Sequence, residues 1–118
     1  PLLQSREAFA AECYALMQSR CYRPKAIVEY DRKAFIAKEN KIRVTFDSRI
    51  VATESSFDLF DERLNMAPVL APGAVVMEVK YNGFLLDYIR RMINTVDQSE
   101  LSVSKYMLAR QNGYRYRL

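Results

Sequence analysis

Two arginines, a glutamate and a lysine fall where strand periodicity would set them to chemical use. Glu78 and Lys80 are two residues apart in Ala-Val-Val-Met-Glu-Val-Lys-Tyr-Asn (74–82), and alternate residues of a strand share a face. Arg32 lies in Ala-Ile-Val-Glu-Tyr-Asp-Arg-Lys-Ala-Phe (26–35), on the same alternation as Tyr30, while Arg43 shares a face with Thr45 and Asp47. Arginine offers a planar fork of donors that matches phosphate oxygens. A solvated strand face carries charges of the same kinds, so each stretch by itself leaves both readings open.

Little else in the chain could do chemistry. It has no histidine, which removes the commonest general base and zinc ligand and every Ser-His-Asp or Cys-His scheme. Cys13 and Cys21 are the two cysteines. Eight positions apart on one helix they would stand about 12 Å from each other, too far for a mutual disulfide, and buried, reduced thiols are expected. With three glycines there is no phosphate loop and no dinucleotide fingerprint. Any catalysis must rest on carboxylates, lysine, arginine and tyrosine, with or without a hard metal ion.

The elements that would position these groups follow from pattern. Half of the 118 residues are apolar and the formal charge is +4, from 18 basic against 14 acidic side chains. One small folded unit spanning 1–118 is expected, with a mild basic bias that suits anionic ligands. There is no run of roughly 20 apolar residues and no signal-peptide pattern, so a cytoplasmic protein without a membrane span is the expectation. A helix is predicted from Ser5, as N-cap, to Cys21, with Phe9, Cys13, Leu16, Met17 and Cys21 on its packing face. Strands are predicted over 26–35, 41–47 and 74–82. The first two form a hairpin, and Ile42, Val44 and Phe46 alternate with Arg43, Thr45 and Asp47. Residues 48–53 continue extended, and 54–73 is irregular, with a short strand at Phe57, Leu59 and Phe60. A second helix over 84–96 buries Leu85, Ile89, Met92, Ile93 and Val96. A third runs from Ser102 to Gln111, stopped by Asn112-Gly113. The tail 112–118, despite Tyr-Arg-Tyr-Arg, reads as frayed rather than as an RNA-binding element, and no nucleic-acid partner is expected.

The strands share one design, an apolar face opposite an ionisable one, and the helices need a sheet to cover. Together these give an α+β fold: a curved antiparallel sheet with helices on its outer face and charge lining the inner face. Val-Glu-Tyr-Asp-Arg-Lys-Ala-Phe (28–35), Ile-Arg-Val-Thr-Phe-Asp (42–47), Met-Glu-Val-Lys (77–80) and Ser-Lys-Tyr (104–106) resemble, in order, the C-terminal half of a VTC domain. That family is the polyphosphate-polymerase branch of the triphosphate tunnel metalloenzymes, the CYTH superfamily.

The resemblance covers about residues 24 to 110 and implies half of an eight-stranded antiparallel tunnel. In such a tunnel the γ-phosphate of a nucleotide such as ATP passes to polyphosphate with the help of Mn²⁺ or Mg²⁺. It implies Arg32, Arg43 and Lys105 as catalytic phosphate-binding residues, Tyr30, Lys80 and Ser104 as further phosphate contacts, and Glu78 as the metal ligand. It also implies an N-terminal half that this stretch does not contain. The chain is therefore expected to be an inactive fragment of a longer enzyme, or to close a barrel with a second copy. A polyphosphate-binding module without turnover, or another tunnel activity such as a triphosphatase, are the alternatives.

Overall fold

The computed structural model describes residues 2–96 and 103–115, with the side chains of the latter stretch described through Gln111. A 3-10 turn at Leu2–Gln4 leads into helix α1 (Ala8–Ser19). Strand β1 (Ile27–Ala37) and a second 3-10 turn (Glu39–Lys41) precede strand β2 (Ile42–Thr53). Short strand β3 (Ala67–Pro68), strand β4 (Val76–Lys80), helix α2 (Asp87–Ile93) and helix α3 (Lys105–Arg115) complete the order. The result is an α+β chain with a four-stranded antiparallel sheet and three α-helices among the described residues.

Strand β2 organises the sheet, because every other strand pairs with it. β1 lies along one side, from Ile27 opposite Thr53 to Ala37 opposite Ile42. β4 and β3 share the other side, Arg43 to Asp47 facing Lys80 to Val76, and Val51 and Ala52 facing Pro68 and Ala67. The predicted hairpin is present. Its turn places Asn40 at φ 52° and Lys41 at φ 50°, a left-handed region that asparagine tolerates well. The same turn holds the end of β4: Asn82 N–H donates to the Asn40 carbonyl at 2.8 Å, and Asn40 Nδ2 donates to the Phe84 carbonyl at 3.1 Å.

The extended run beyond Asp47 is part of β2, but it contains a register shift. Between the pairs Glu29–Val51 and Asp31–Ser48, β2 advances one residue more than β1, and Arg49 sits at φ 49°. A bulge of this kind reverses the alternation of the strand that carries it. Ala52, opposite Val28, therefore falls on the same face as Asp47, opposite Arg32. Ile50 and Ala52 are buried, as is Ala109 of α3, which packs on β1 and β2.

The two faces of the sheet are served by different helices. Phe35, Val44, Phe46 and Met77 line an apolar groove with Ile89 and Ile93 of α2, and of the predicted stripe Ile89 is the buried residue. α3 instead reaches the charged face through Lys105, so the expectation that all helices pack outside is corrected. The helical segments also differ in extent. α2 spans 87–93 rather than 84–96, and Met92 and Val96 of its stripe are exposed. α3 runs through Asn112-Gly113 to Arg115, while the predicted start at Ser102 and the end of the predicted tail, 116–118, lie outside the described residues.

α1 departs furthest from expectation. It starts at Ala8 after Glu7, and Ser5 does not cap it; the Ser5 hydroxyl accepts from Glu7 N–H in the preceding turn. It ends at Ser19, ahead of Arg23-Pro24, where Cys21 takes φ 54°, the left-handed conformation common just past a helix end. Its stripe is not covered: Phe9 is 72% exposed and Ala10 is its buried residue. Cys21 is exposed and Cys13 half-buried, both free, so burial was wrongly expected of Cys21. The predicted strand at Phe57–Phe60 is a set of turns with its aromatic and leucine side chains exposed.

Candidate functional site: a charged sheet face

Residues directly opposite in antiparallel strands share a face, so the pairing lays out the charged face rung by rung. Across β1, β2 and β4 the first rung is Arg32, Asp47 and Val76. The second is Ala34, Thr45 and Glu78, and the third Ile36, Arg43 and Lys80. The predicted strand residues Arg32, Arg43, Glu78 and Lys80 are thus brought onto one face, with the two arginines two rungs apart. Their surroundings differ. Arg43 is exposed and makes no ion pair among the described residues. Glu78 Oε1 lies 3.0 Å from Lys80 Nζ, with both side chains largely in solvent.

The densest cluster forms around Asp47, whose side chain is 1% exposed. Arg32 grips it in a fork, Nε to Oδ1 at 2.6 Å and Nη2 to Oδ2 at 2.8 Å. Lys105 Nζ reaches Oδ2 at 2.6 Å from the start of α3. Tyr30 stands against both cations, its ring centroid 5.0 Å from the guanidinium carbon and 4.8 Å from the ammonium, within the range of cation–π attraction. The hydrogen bonds from Arg32, opposed by burial and reinforced by Lys105, hold the Asp47 carboxyl down at about 2, against an ordinary value of 3.8. The same fork raises the Arg32 guanidinium further above its ordinary range. Both shifts favour the charged pair.

Ser104 explains why Lys105 is where it is. Its hydroxyl accepts the N–H of Met107 at 3.4 Å, and its carbonyl that of Leu108 at 3.0 Å, so it is the N-cap of α3. Lys105 is then the first helical residue, where the helix dipole disfavours a cation, and the Asp47 carboxylate supplies the compensating charge. A second tie joins the helix to the end of β2, Arg110 Nη1 donating to Glu54 Oε1. One polar atom in the middle rung is orphaned: Thr45 Oγ1 is buried without a hydrogen-bond partner among the described residues.

The donor set can be tested against a metal ion. No group of three or more acidic, cysteine or histidine side chains stands ready to hold one among the described residues. Glu78 offers one accessible carboxylate, whereas the hydroxyl of Thr45 opposite it in register is buried. A carboxylate of this kind fits a hard divalent ion as part of its shell, with phosphate oxygens and waters supplying the rest.

Pattern reasoning set Asp47 on the charged face without giving it a role, and it passed over the Glu54–Arg110 pair. Asp47 was visible as the third member of the Arg43-Thr45-Asp47 alternation, and pairing the hairpin in register would have set it opposite Arg32. Glu54 and Arg110 carry no local signal, since 56 positions separate them.

Fold and face together define a small α+β domain that gathers mixed, mainly basic charge on one side of an antiparallel sheet. The chain belongs to the VTC domain family, whose model matches residues 3–113. No curated protein and no solved structure matches it. Among the described residues no helix is long and apolar enough to cross a membrane.

Proposed function

We propose that this VTC domain supplies one wall of a triphosphate tunnel, and that the intact protein transfers the γ-phosphoryl group of ATP to a polyphosphate chain. The observation that carries this reading is the cross-strand register. It sets Arg32, Arg43, Glu78 and Lys80 on one face, which Lys105 joins from α3. Family membership is consistent with a polyphosphate polymerase-type role.

In this account Arg43 and Lys80, on the third rung, hold phosphate oxygens directly. Arg32 and Lys105 offer the donors that Asp47 leaves uncommitted. Tyr30 shapes the wall beside them, and the Ser104 hydroxyl, whose oxygen caps α3, can still donate its proton. A terminal oxygen of the polyphosphate attacks the γ-phosphorus while the bond to the β–γ bridging oxygen breaks, and ADP leaves with that oxygen. Such a transfer depends on alignment and on neutralising phosphate oxygens, so a site without histidine or a protein nucleophile is adequate. Glu78 would hold Mn²⁺ or Mg²⁺, which supplies charge neutralisation when bound.

The remaining wall would come from a further segment of a longer protein in the CYTH superfamily pattern, or from a second copy. If a further segment supplies that wall, the 118-residue chain by itself is inactive. Incubating the intact protein with ATP and Mn²⁺ and measuring polyphosphate tests the reading. Glu78→Ala should lower polymer formation by about a hundredfold, and undiminished formation removes Glu78 from its role. Free phosphate as sole product would make the protein a triphosphatase, and binding without turnover would make it a polyanion-binding module.

A further inference from the structure

Asp47 carries the charge least suited to meeting a phosphate, yet it lies at the centre of the basic cluster. The residue is buried, and its carboxylate accepts from Arg32 Nε, Arg32 Nη2 and Lys105 Nζ. Oδ2 serves both cations, so a strand side chain and a helix side chain are pinned within hydrogen-bond reach of one oxygen. The fork leaves Arg32 Nη1 and the outer hydrogen of Nη2 uncommitted by Asp47, and Lys105 retains two further N–H bonds. The Tyr30 ring backs both cations. Lys105 begins α3, where the helix dipole works against it, and the carboxylate that holds it belongs to β2.

Resting on the phosphate-binding reading above, we propose that Asp47 is a positioning residue. It locks Arg32 and Lys105 into a preset pair whose outward donors receive neighbouring oxygens of a phosphate chain. Asp47 itself does not touch the anion, which its charge would repel. An ordinary neutralising carboxylate predicts the opposite consequence when its charge is removed, and that difference makes the proposal testable.

Inorganic tripolyphosphate is titrated calorimetrically into the intact wild-type protein and into Asp47→Asn. The variant makes the charged face more positive. If Asp47 positions the pair, affinity nevertheless falls by about tenfold or more, because preorganisation is lost. Unchanged or tighter binding by the variant overturns the inference and leaves the phosphate reading standing. No binding by the wild type overturns both.

A second measurement needs no substitution. The Nε–H resonance of Arg32 should be slow to exchange with water in the wild type and should persist at saturating tripolyphosphate. Its loss on binding would make Asp47 a placeholder that the anion displaces, which also overturns the proposal. This arm remains decisive if Asp47→Asn fails to fold.

Discussion

Arg32 and Arg43 are the same residue type on the same face, and their neighbours set them apart. Arg43 projects into solvent on the third rung without an ion pair among the described residues. Arg43→Ala should leave thermal stability within about 0.5 kcal/mol while weakening tripolyphosphate binding roughly tenfold, the loss expected of a charged hydrogen bond. Melting curves and calorimetry on the same samples check both halves. Asp47 behaves oppositely. Asp47→Asn should lower stability by about 1–3 kcal/mol.

The Asp47 contribution also has a pH signature. A carboxyl whose folded pKa is depressed stabilises the fold above its unfolded value and loses that contribution as pH falls through the folded one. For Asp47 the window runs from about 4 down to about 2. Wild-type stability should fall across it, and the fall should be shallower in the asparagine variant, as acid unfolding monitored by circular dichroism would show. At this scale the residue types were readable from sequence, since Arg32, Arg43, Glu78 and Lys80 keep strict alternation. The meeting of Arg32 with Asp47 follows once the hairpin is paired in register. The arrival of Lys105 does not, because it depends on where α3 begins, and long-range packing sets that.

Among the elements, β2 shows how local pattern and tertiary demand diverge. Its first six residues alternate plainly, and the pairing follows them. At Arg49 the strand takes a left-handed residue and the alternation reverses, which brings buried Ala52 onto the face that carries Asp47. Nothing in Ser48-Arg49-Ile50 announces this. Arg49→Gly, which relieves φ but gives up a surface ion pair with Asp31, should change stability by less than about 1 kcal/mol and leave anion binding intact. Arg49→Val should be about 1–2 kcal/mol less stable than the glycine variant. Chemical denaturation of the two separates them.

The helices teach the same lesson. Periodicity found the apolar stripe of α1 but could not say what covers it, and in this chain Phe9 and Leu16 remain exposed. Asn112-Gly113 reads as a stop, yet α3 passes through it; an internal glycine costs only about 1 kcal/mol relative to alanine.

At the scale of the whole molecule the chain is open. Its radius of gyration is 18.2 Å, against roughly 13–14 Å for a compact domain of this length. Phe35, Ile36, Phe60 and Phe84 are among the large apolar side chains left exposed. The outer edges of β1 and β4 have no strand partner among the described residues, an arrangement that soluble sheets usually avoid. If the charged face is one wall of a tunnel, those edges are where the other wall joins. The amides of β1 and β4 that point away from β2 should then exchange rapidly in the isolated chain and be protected in the intact protein. Hydrogen exchange read by mass spectrometry checks this, and equal exchange in both would count against a closed tunnel.

The central claim is that phosphate chains bind the face carrying Arg32, Arg43, Glu78, Lys80 and Lys105. Side-chain and amide resonances followed through a tripolyphosphate titration of the intact protein address it most directly. The account predicts saturable shifts concentrated at Arg43, Thr45, Glu78, Lys80 and Lys105, with Phe46, Met77 and Ile89 on the opposite side unmoved. Shifts centred on that apolar side, or none on the charged face at saturation, would contradict it.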